Sequence, residues 1–214
     1  MVMRKRFQGE LEKLHEMLLK IDITIKKNID MMLIALKNSD HNVAKKVIEN
    51  DDLVDNLELE IEELCIDIIT RHQPVAGDLR EVTAVLKMIT DLERISDYSA
   101  SVCEHLLNVQ LNESTKYIKK IIKLGKNAKK MFSGMIEGYM EQNDDIIVSV
   151  NRQDTISDDL FRDLKKLVER DIEIIGSENA IIFILMGRAL ERMADHITNV
   201  CDWIHFKMTG NFKI

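Results

Sequence analysis

Apolar residues recur every three or four positions from Phe7 through Leu11, Leu14, Leu18, Ile21 and Ile25 to Met32. That seven-residue period predicts a long helix with one buried stripe. Asn28 falls on the stripe, where a polar group fixes register at some expense in stability. Asn38, Ser39 and Asp40 end this helix and supply capping chemistry for the next. A second helix carries Val47, Val54, Leu57, Ile61, Leu64 and Ile68, and stops before Pro74, which disfavours helix at Gln73. A third runs from about Asp78 through Val85, Met88, Leu92, Ile95, Val102 and Leu106.

The pattern then starts again. Tyr117, Ile121, Leu124, Ala128, Met131 and Met135 form a fourth stripe, and Gly138 takes its next position. Val150, Leu160, Leu164 and Leu167 mark a fifth helix, and Leu190, Met193, Ile197, Val200 and Ile204 a sixth. At an offset of 103, Leu14 falls on Tyr117, Met32 on Met135, Asp51 on Asp154 and Asp55 on Asp158. Past the second helix the offset drops to 98, and Leu92-Glu93-Arg94 matches Leu190-Glu191-Arg192 while Val102-Cys103-Glu104 matches Val200-Cys201-Asp202. The second copy therefore lacks five residues near the turn between its second and third helices. Stripe positions would coincide in any two bundles, but matching triplets point to a duplication. The expectation is all-α: two tandem antiparallel three-helix bundles, six long helices in all, spanning residues 1–110 and 111–214.

Composition narrows the class without changing it. One proline, eight glycines and 5% aromatics among 214 residues argue against a sandwich or barrel. A formal net charge of −7 makes nucleic acid an unfavourable partner. No apolar run reaches the ~18–20 residues that span a bilayer, and the basic start lacks a leader's apolar stretch, so a cytoplasmic protein is expected. Cys65, Cys103 and Cys201 lie far apart, as small buried hydrophobes in a reducing compartment would.

Four segments read acid-x-x-x-acid: Asp51/Asp55, Glu93/Asp97, Asp154/Asp158 and Glu191/Asp195. That spacing puts each pair on one helix face, where like charges mildly destabilise the helix. In an antiparallel pair, residues equidistant from the turn lie level. Asp55 with Glu93 and Asp51 with Asp97 are both centred on Pro74; Asp158 with Glu191 and Asp154 with Asp195 are centred between Ile174 and Ile175, just before Gly176. Each copy should thus hold four carboxylates level on neighbouring helices, one position off the apolar stripe, in a surface groove. Such a cluster repels itself unless protonated, solvated or bridged by cations. All-oxygen ligands suit Mg, Mn or Ca, and carboxylate-rich iron is also compatible. The plain alternative is a solvated acidic face with Arg94 and Arg192 as internal counterions.

Glu12-x-x-His15 and Asp202-x-x-His205 have the spacing of ferritin-like di-metal ligands, yet neither repeats at the offset, so satisfied surface histidines are expected. No glycine-rich phosphate loop, serine elbow or Cys/His nucleophile pair stands out. A carboxylate-bridged metal-binding, iron-storage or oxidase bundle is the competing reading, and it requires buried acids with paired histidine ligands.

Gln73-Pro74-x-Ala76-x-Asp78-Leu79-Arg80, Asp91-Leu92-Glu93-Arg94-Ile95-x-Asp97, Leu190-Glu191-Arg192-x-x-Asp195-His196-x-x-Asn199 and Thr209-Gly210 resemble the PhoU family of phosphate-signalling regulators, in the family's motif order and over essentially the whole chain. The family's small residue inside each motif, usually glycine, is Ser96 and Ala194 here; its first-copy asparagine is Ser101, and Tyr98 replaces a commoner small or His-like residue. The resemblance implies a non-enzymatic adaptor between a phosphate ABC transporter and a sensor histidine kinase. It also implies metal clusters (Fe, Zn, Mn or Mg) on the eight acids, a homodimer, and contact with the membrane only through partners. Asp78 and Arg80, at the turn where the copies differ in length, are candidate partner-binding residues.

Overall fold

The computed structural model of the chain describes residues 2–109 and 115–212, with side-chain surroundings from Arg6 onward. The expected boundary between residues 110 and 111 lies outside the described residues. The helices are α1 (Val2–Asn38), α2 (His41–His72), α3 (Gly77–Leu106), α4 (Thr115–Glu141), α5 (Asp144–Asn151), α6 (Asp154–Arg170) and α7 (Ile172–Thr209). Among the described residues none is long and apolar enough to cross a membrane.

The helix ends follow local chemistry. The Asp40 carboxylate accepts from the backbone N–H groups of Asn42 and Val43, capping α2. Gln73, left-handed at φ 47°, ends α2 one residue before the proline. Asn143 caps α5 through Asp145 N and Ile146 N. At the second copy's turn Gly176 takes φ 76° and ψ 156° inside α7, a conformation that strains any residue with a Cβ. That is where the facing carboxylates placed the turn.

The stripes are the core. Leu14, Leu18, Ile21, Ile25 and Met32 of α1 are buried, as are all the named stripe residues of α3, α4 and the α7 helix. In α2 the stripe shifts by one: Cys65 is buried and Leu64 only half-buried. All three cysteines are free and buried, and burial pushes the thiols of Cys65 and Cys103 up to about 12.

Where one fifth helix was expected, α5 and α6 are separate. The chain tightens there, with Gln153 N donating to Val150 O and Ile156 N to Gln153 O. The Asn127 side chain of α4 meanwhile reaches Gln153 O at 3.5 Å. A side chain entering the ladder explains the interruption, which no glycine or proline marks. The break leaves Asp154 in the first turn of α6, where the helix dipole favours negative charge.

Within each copy the helices pack as a three-helix unit, and the copies join through α3 against α7 and α1 against α4. One continuous apolar cluster runs through both. Near the join, Tyr98 and His196, matched by the offset of 98, lie with ring centroids 5.6 Å apart. The ring pair lies where α3 and α7 meet, as the pseudo-twofold of a duplicated fold requires.

Candidate functional site

The first cluster is built by α2 and α3. Asp51 and Asp97 lie within hydrogen-bonding reach of each other across the two helices, and Asp55 feels the charge of Asp97. Asp55 is exposed while Asp51, Glu93 and Asp97 are half-buried, so the acids lie at the surface of the helix pair. Burial, then the facing Asp97 and the neighbouring Asp55, push Asp51 up to about 6, against a hydrogen bond from Ser96 that draws it down. Burial and then Asp97 likewise push Glu93 up to about 7, and Asp55 is raised for the same reasons. Arg94 is the local counterion, 2.6 Å from Asp97 and 3.3 Å from Glu93.

Beneath these acids runs a buried polar chain. Asn50 Nδ2 donates to Asn28 Oδ1 at 3.2 Å, and Asn28 Nδ2 donates to Ser96 Oγ at 3.2 Å. Ser96 in turn serves Asp51. The stripe asparagine thus supports the first carboxylate pair from below. Asn28 stood out as a polar break in an apolar stripe, but its link to Ser96 and Asn50 was not legible from spacing. Glu58 joins the acids as a fifth carboxylate whose charge Glu93 feels.

The second cluster is built by α6 and α7. Asp158 is exposed, Asp154 and Asp195 are half-buried, and Glu191 is buried at 8% exposure, deeper than a surface groove implies. Its Oε1 accepts from Arg188, one helical turn earlier, at 2.7 Å. Burial, then the facing Asp195 and then Asp158, push Asp154 up to about 6. Burial first, with Asp158 adding, raises Glu191 and Asp195. Asp51 thus faces Asp97 and Asp154 faces Asp195, whereas Asp55 feels Asp97 and Glu93 feels Glu58 ahead of Asp55. Two oxygens here, Asp154 Oδ1 and Glu191 Oε2, are buried and accept no hydrogen bond.

Among the described residues no three acidic, histidine or cysteine side chains converge where a single ion could sit. Four of the six histidines are engaged elsewhere: His15 with Glu81 at 3.0 Å, His72 with Glu10 at 2.9 Å, His196 with Asp91 at 2.6 Å and His205 with Asp144 at 2.6 Å. The two acid-x-x-His segments are thus satisfied histidines tying helices together, not paired ligands.

Asp78 is exposed and lines a groove of about 400 Å³ with Phe7, His72 and Pro74. Arg80 is half-buried, and a Cβ at Gly210 would lie 2.5 Å from its Nη1, so its guanidinium packs on the glycine that caps α7. The two candidate partner residues therefore stand in different surroundings, one open and one braced against the last helix.

The PhoU domain model matches residues 18–106 and 121–204. Over 213 residues the chain is 31% identical to the phosphate-specific transport system accessory protein PhoU homolog of Clostridium acetobutylicum, covering 97% of this chain and 96% of that one. The crystal structure of PhoU from Pseudomonas aeruginosa matches with a TM-score of 0.91 at 28% identity, over 96% of this chain and 100% of that one. The phosphate transport system regulatory protein PhoU from Streptococcus pneumoniae has the same fold, with a TM-score of 0.90 at 22% identity over 97% and 99% of the two chains. Matched by the domain model in both halves and by a relative along nearly its full length, the chain belongs to the PhoU family.

Proposed function

We propose that this chain is a non-enzymatic regulator of phosphate uptake and of the phosphate-starvation response, docking between a phosphate ABC transporter and a sensor histidine kinase. Support comes from its family, from relatives named as accessory proteins of phosphate-specific transport, and from long helices that present docking surfaces. The proposed assembly is a homodimer, which sedimentation measures directly. The proposed partner contact is the turn bearing Asp78 and Arg80. Pull-down from membranes with both replaced by alanine should lose one partner and keep the other; unchanged recovery of both would sink that contact.

Divalent metal on the two carboxylate clusters is the second half of the proposal, and one observation supports it at the second cluster: Asp154 Oδ1 and Glu191 Oε2 are buried acceptors without donors. A cation bound by oxygen ligands would satisfy them and neutralise acids that now raise one another's pKa values. Asp51, Asp55, Glu93 and Asp97 would have to draw together around it in the first copy, and Asp154, Asp158, Glu191 and Asp195 in the second, because among the described residues no three of them converge on one point as folded. Because Arg94 and Arg188 now occupy carboxylates of each set, an ion has to displace them. The metal would supply charge neutralisation across each helix pair. Metal content after chelator-free purification, compared with Glu191→Ala/Asp195→Ala, tests this; an equal content in both proteins would refute it. An iron-storage or oxidase role would require histidine ligands, and His15 and His205, the two with ligand-like spacing, are paired with Glu81 and Asp144.

A further inference from the structure

The join between the copies has two edges related by the duplication, and they are not alike. On one edge Gly125 of α4 meets α1 and α7: a Cβ there would lie 2.8 Å from Leu33 Cδ2, 3.5 Å from Met32 Cε and 3.8 Å from Leu190 Cδ1. The offset of 103 carries Gly125 back to Asp22, Met32 to Met135 and Leu33 to Ile136, and the offset of 98 carries Leu190 to Leu92. Those four residues meet on the other edge, around a small cavity of about 10 Å³, room for roughly one water molecule. The same contact is therefore closed by a glycine on one side and built around a carboxylate on the other.

Asp22 is only 7% exposed, and among the described residues no hydrogen bond or ion pair reaches its carboxylate. Tyr139 of α4 lines the same cavity, and its hydroxyl is buried without a partner. The other lining residues are apolar. The charged groups nearest this edge are engaged with one another. Glu81 of α3 accepts from Lys207 of α7 at 2.8 Å and pairs with His15 of α1 at 3.0 Å, and Lys207 lies 4.5 Å from the Tyr139 ring centroid. No cation is therefore aimed at Asp22. Burial of a carboxylate without a partner favours its neutral form.

We propose that Asp22 is a proton-binding site that governs the join: protonated, it lets α1 close on α3, α4 and α7, and ionised, it draws water into the cavity and opens that edge about the tight Gly125 contact. Burial raises the Asp22 carboxyl from 3.8 to about 7, so the closed form binds a proton that the open form releases. Opening then grows by up to about tenfold per pH unit between roughly 4 and 7 and levels off above. Tyr139 shares the cavity and feels the charge of Asp22, and its hydroxyl sets where that plateau falls by turning to solvate the ionised form.

Hydrogen exchange followed by mass spectrometry tests this on the full chain, in chelator, from pH 5 to 8, with rates corrected for intrinsic exchange. Protection in segments around Asp22 and Tyr139 should fall by up to about tenfold per unit up to neutrality, while the segment around Gly125 stays flat. Asp22→Asn should abolish the slope; the same slope in that variant, or an equal slope on both edges, overturns the proposal. Tyr139→Phe, which removes only the hydroxyl, should move the plateau to higher pH and keeps the test open if Asp22→Asn does not fold. An unmoved plateau also overturns it.

Discussion

Replacing Glu93 with glutamine should stabilise the protein when divalent metal is absent. In the fold the Glu93 side chain is 14% exposed and its carboxyl is raised from 4.5 to about 7, by burial first and then by Asp97. The folded state therefore holds a proton that the unfolded chain releases, so stability falls as pH rises from about 4.5 to about 7, and the full penalty applies above 7. At 1.36 kcal/mol per unit the shift corresponds to at most ~3 kcal/mol, and screening by solvent in the groove reduces this to about 1–2 kcal/mol. Glutamine keeps the shape and drops the charge, and Arg94 retains its 2.6 Å partner Asp97. Urea unfolding at pH 8 in chelator should show the variant more stable by that amount, and the gap should vanish near pH 4. Adding Mn²⁺ should reverse the order, since an ion at a hundred times its Kd stabilises the intact site by ~2.7 kcal/mol. A variant less stable than the parent in chelator at pH 8 would refute the reasoning, because the acids would then be satisfied as they stand.

Three further outcomes follow from single contacts. Asp40→Ala removes the acceptor for two N–H groups at the start of α2 and should cost about 1 kcal/mol in thermal or urea unfolding. Gly125→Ala forces a methyl against Leu33 and should destabilise by about 1–3 kcal/mol, offset by up to ~1 kcal/mol of helix propensity; an unchanged urea midpoint with a shifted Leu33 rotamer would show that the edge yields. Glu81 is lowered to about 2, by its hydrogen bond with His15 first and then by Lys207. Its contribution is therefore present above about 4.5 and lost as pH falls through 2, so Glu81→Gln should cost about 1–2 kcal/mol at neutral pH and nothing near pH 2, read from urea midpoints at both.

Periodicity carried most of the fold because the buried stripes are nearly unbroken: every named stripe residue of α3 and α4 is buried. The level pairing of acids was legible because antiparallel helices joined by a short turn leave little freedom, and Pro74 and Gly176 mark the two turns. Three features were not legible. The break before Asp154 arises from Asn127, 26 residues away, which no local signal at Arg152 or Gln153 reports. Glu191 is buried with one oxygen on Arg188 and the other without a donor, which spacing along its own helix does not report. Nothing in the sequence around Asp22 marks it, since only the packing of the second copy on the first encloses it. Local pattern describes each helix, whereas these three depend on what a distant helix or an ion pair brings to it.

The two carboxylate clusters share an origin and yet should not bind metal equally. In the first, Asp51 is already served by Ser96, itself held by Asn28, and Arg94 contacts both Glu93 and Asp97. A cation entering there has to replace partners the acids already have. In the second, Arg188 holds Glu191 through Oε1 and Arg192 lies 3.5 Å from Asp195, but Ala194 stands where Ser96 does and offers no hydroxyl, and Asp154 Oδ1 and Glu191 Oε2 are buried without donors. Leaving such acceptors unpaired costs about 1–3 kcal/mol each, a cost an ion relieves on binding. The second cluster should therefore fill first, with a Kd lower by about tenfold or more, since ~1.4 kcal/mol suffices for that factor. Titrating Mn²⁺ into Asp51→Asn/Glu93→Gln and into Asp154→Asn/Glu191→Gln by calorimetry separates the two. The first variant should keep the tighter phase and the second should lose it. Loss of the tighter phase with the first variant would show that the hydrogen-bonded, preorganised acids bind better than the orphaned ones.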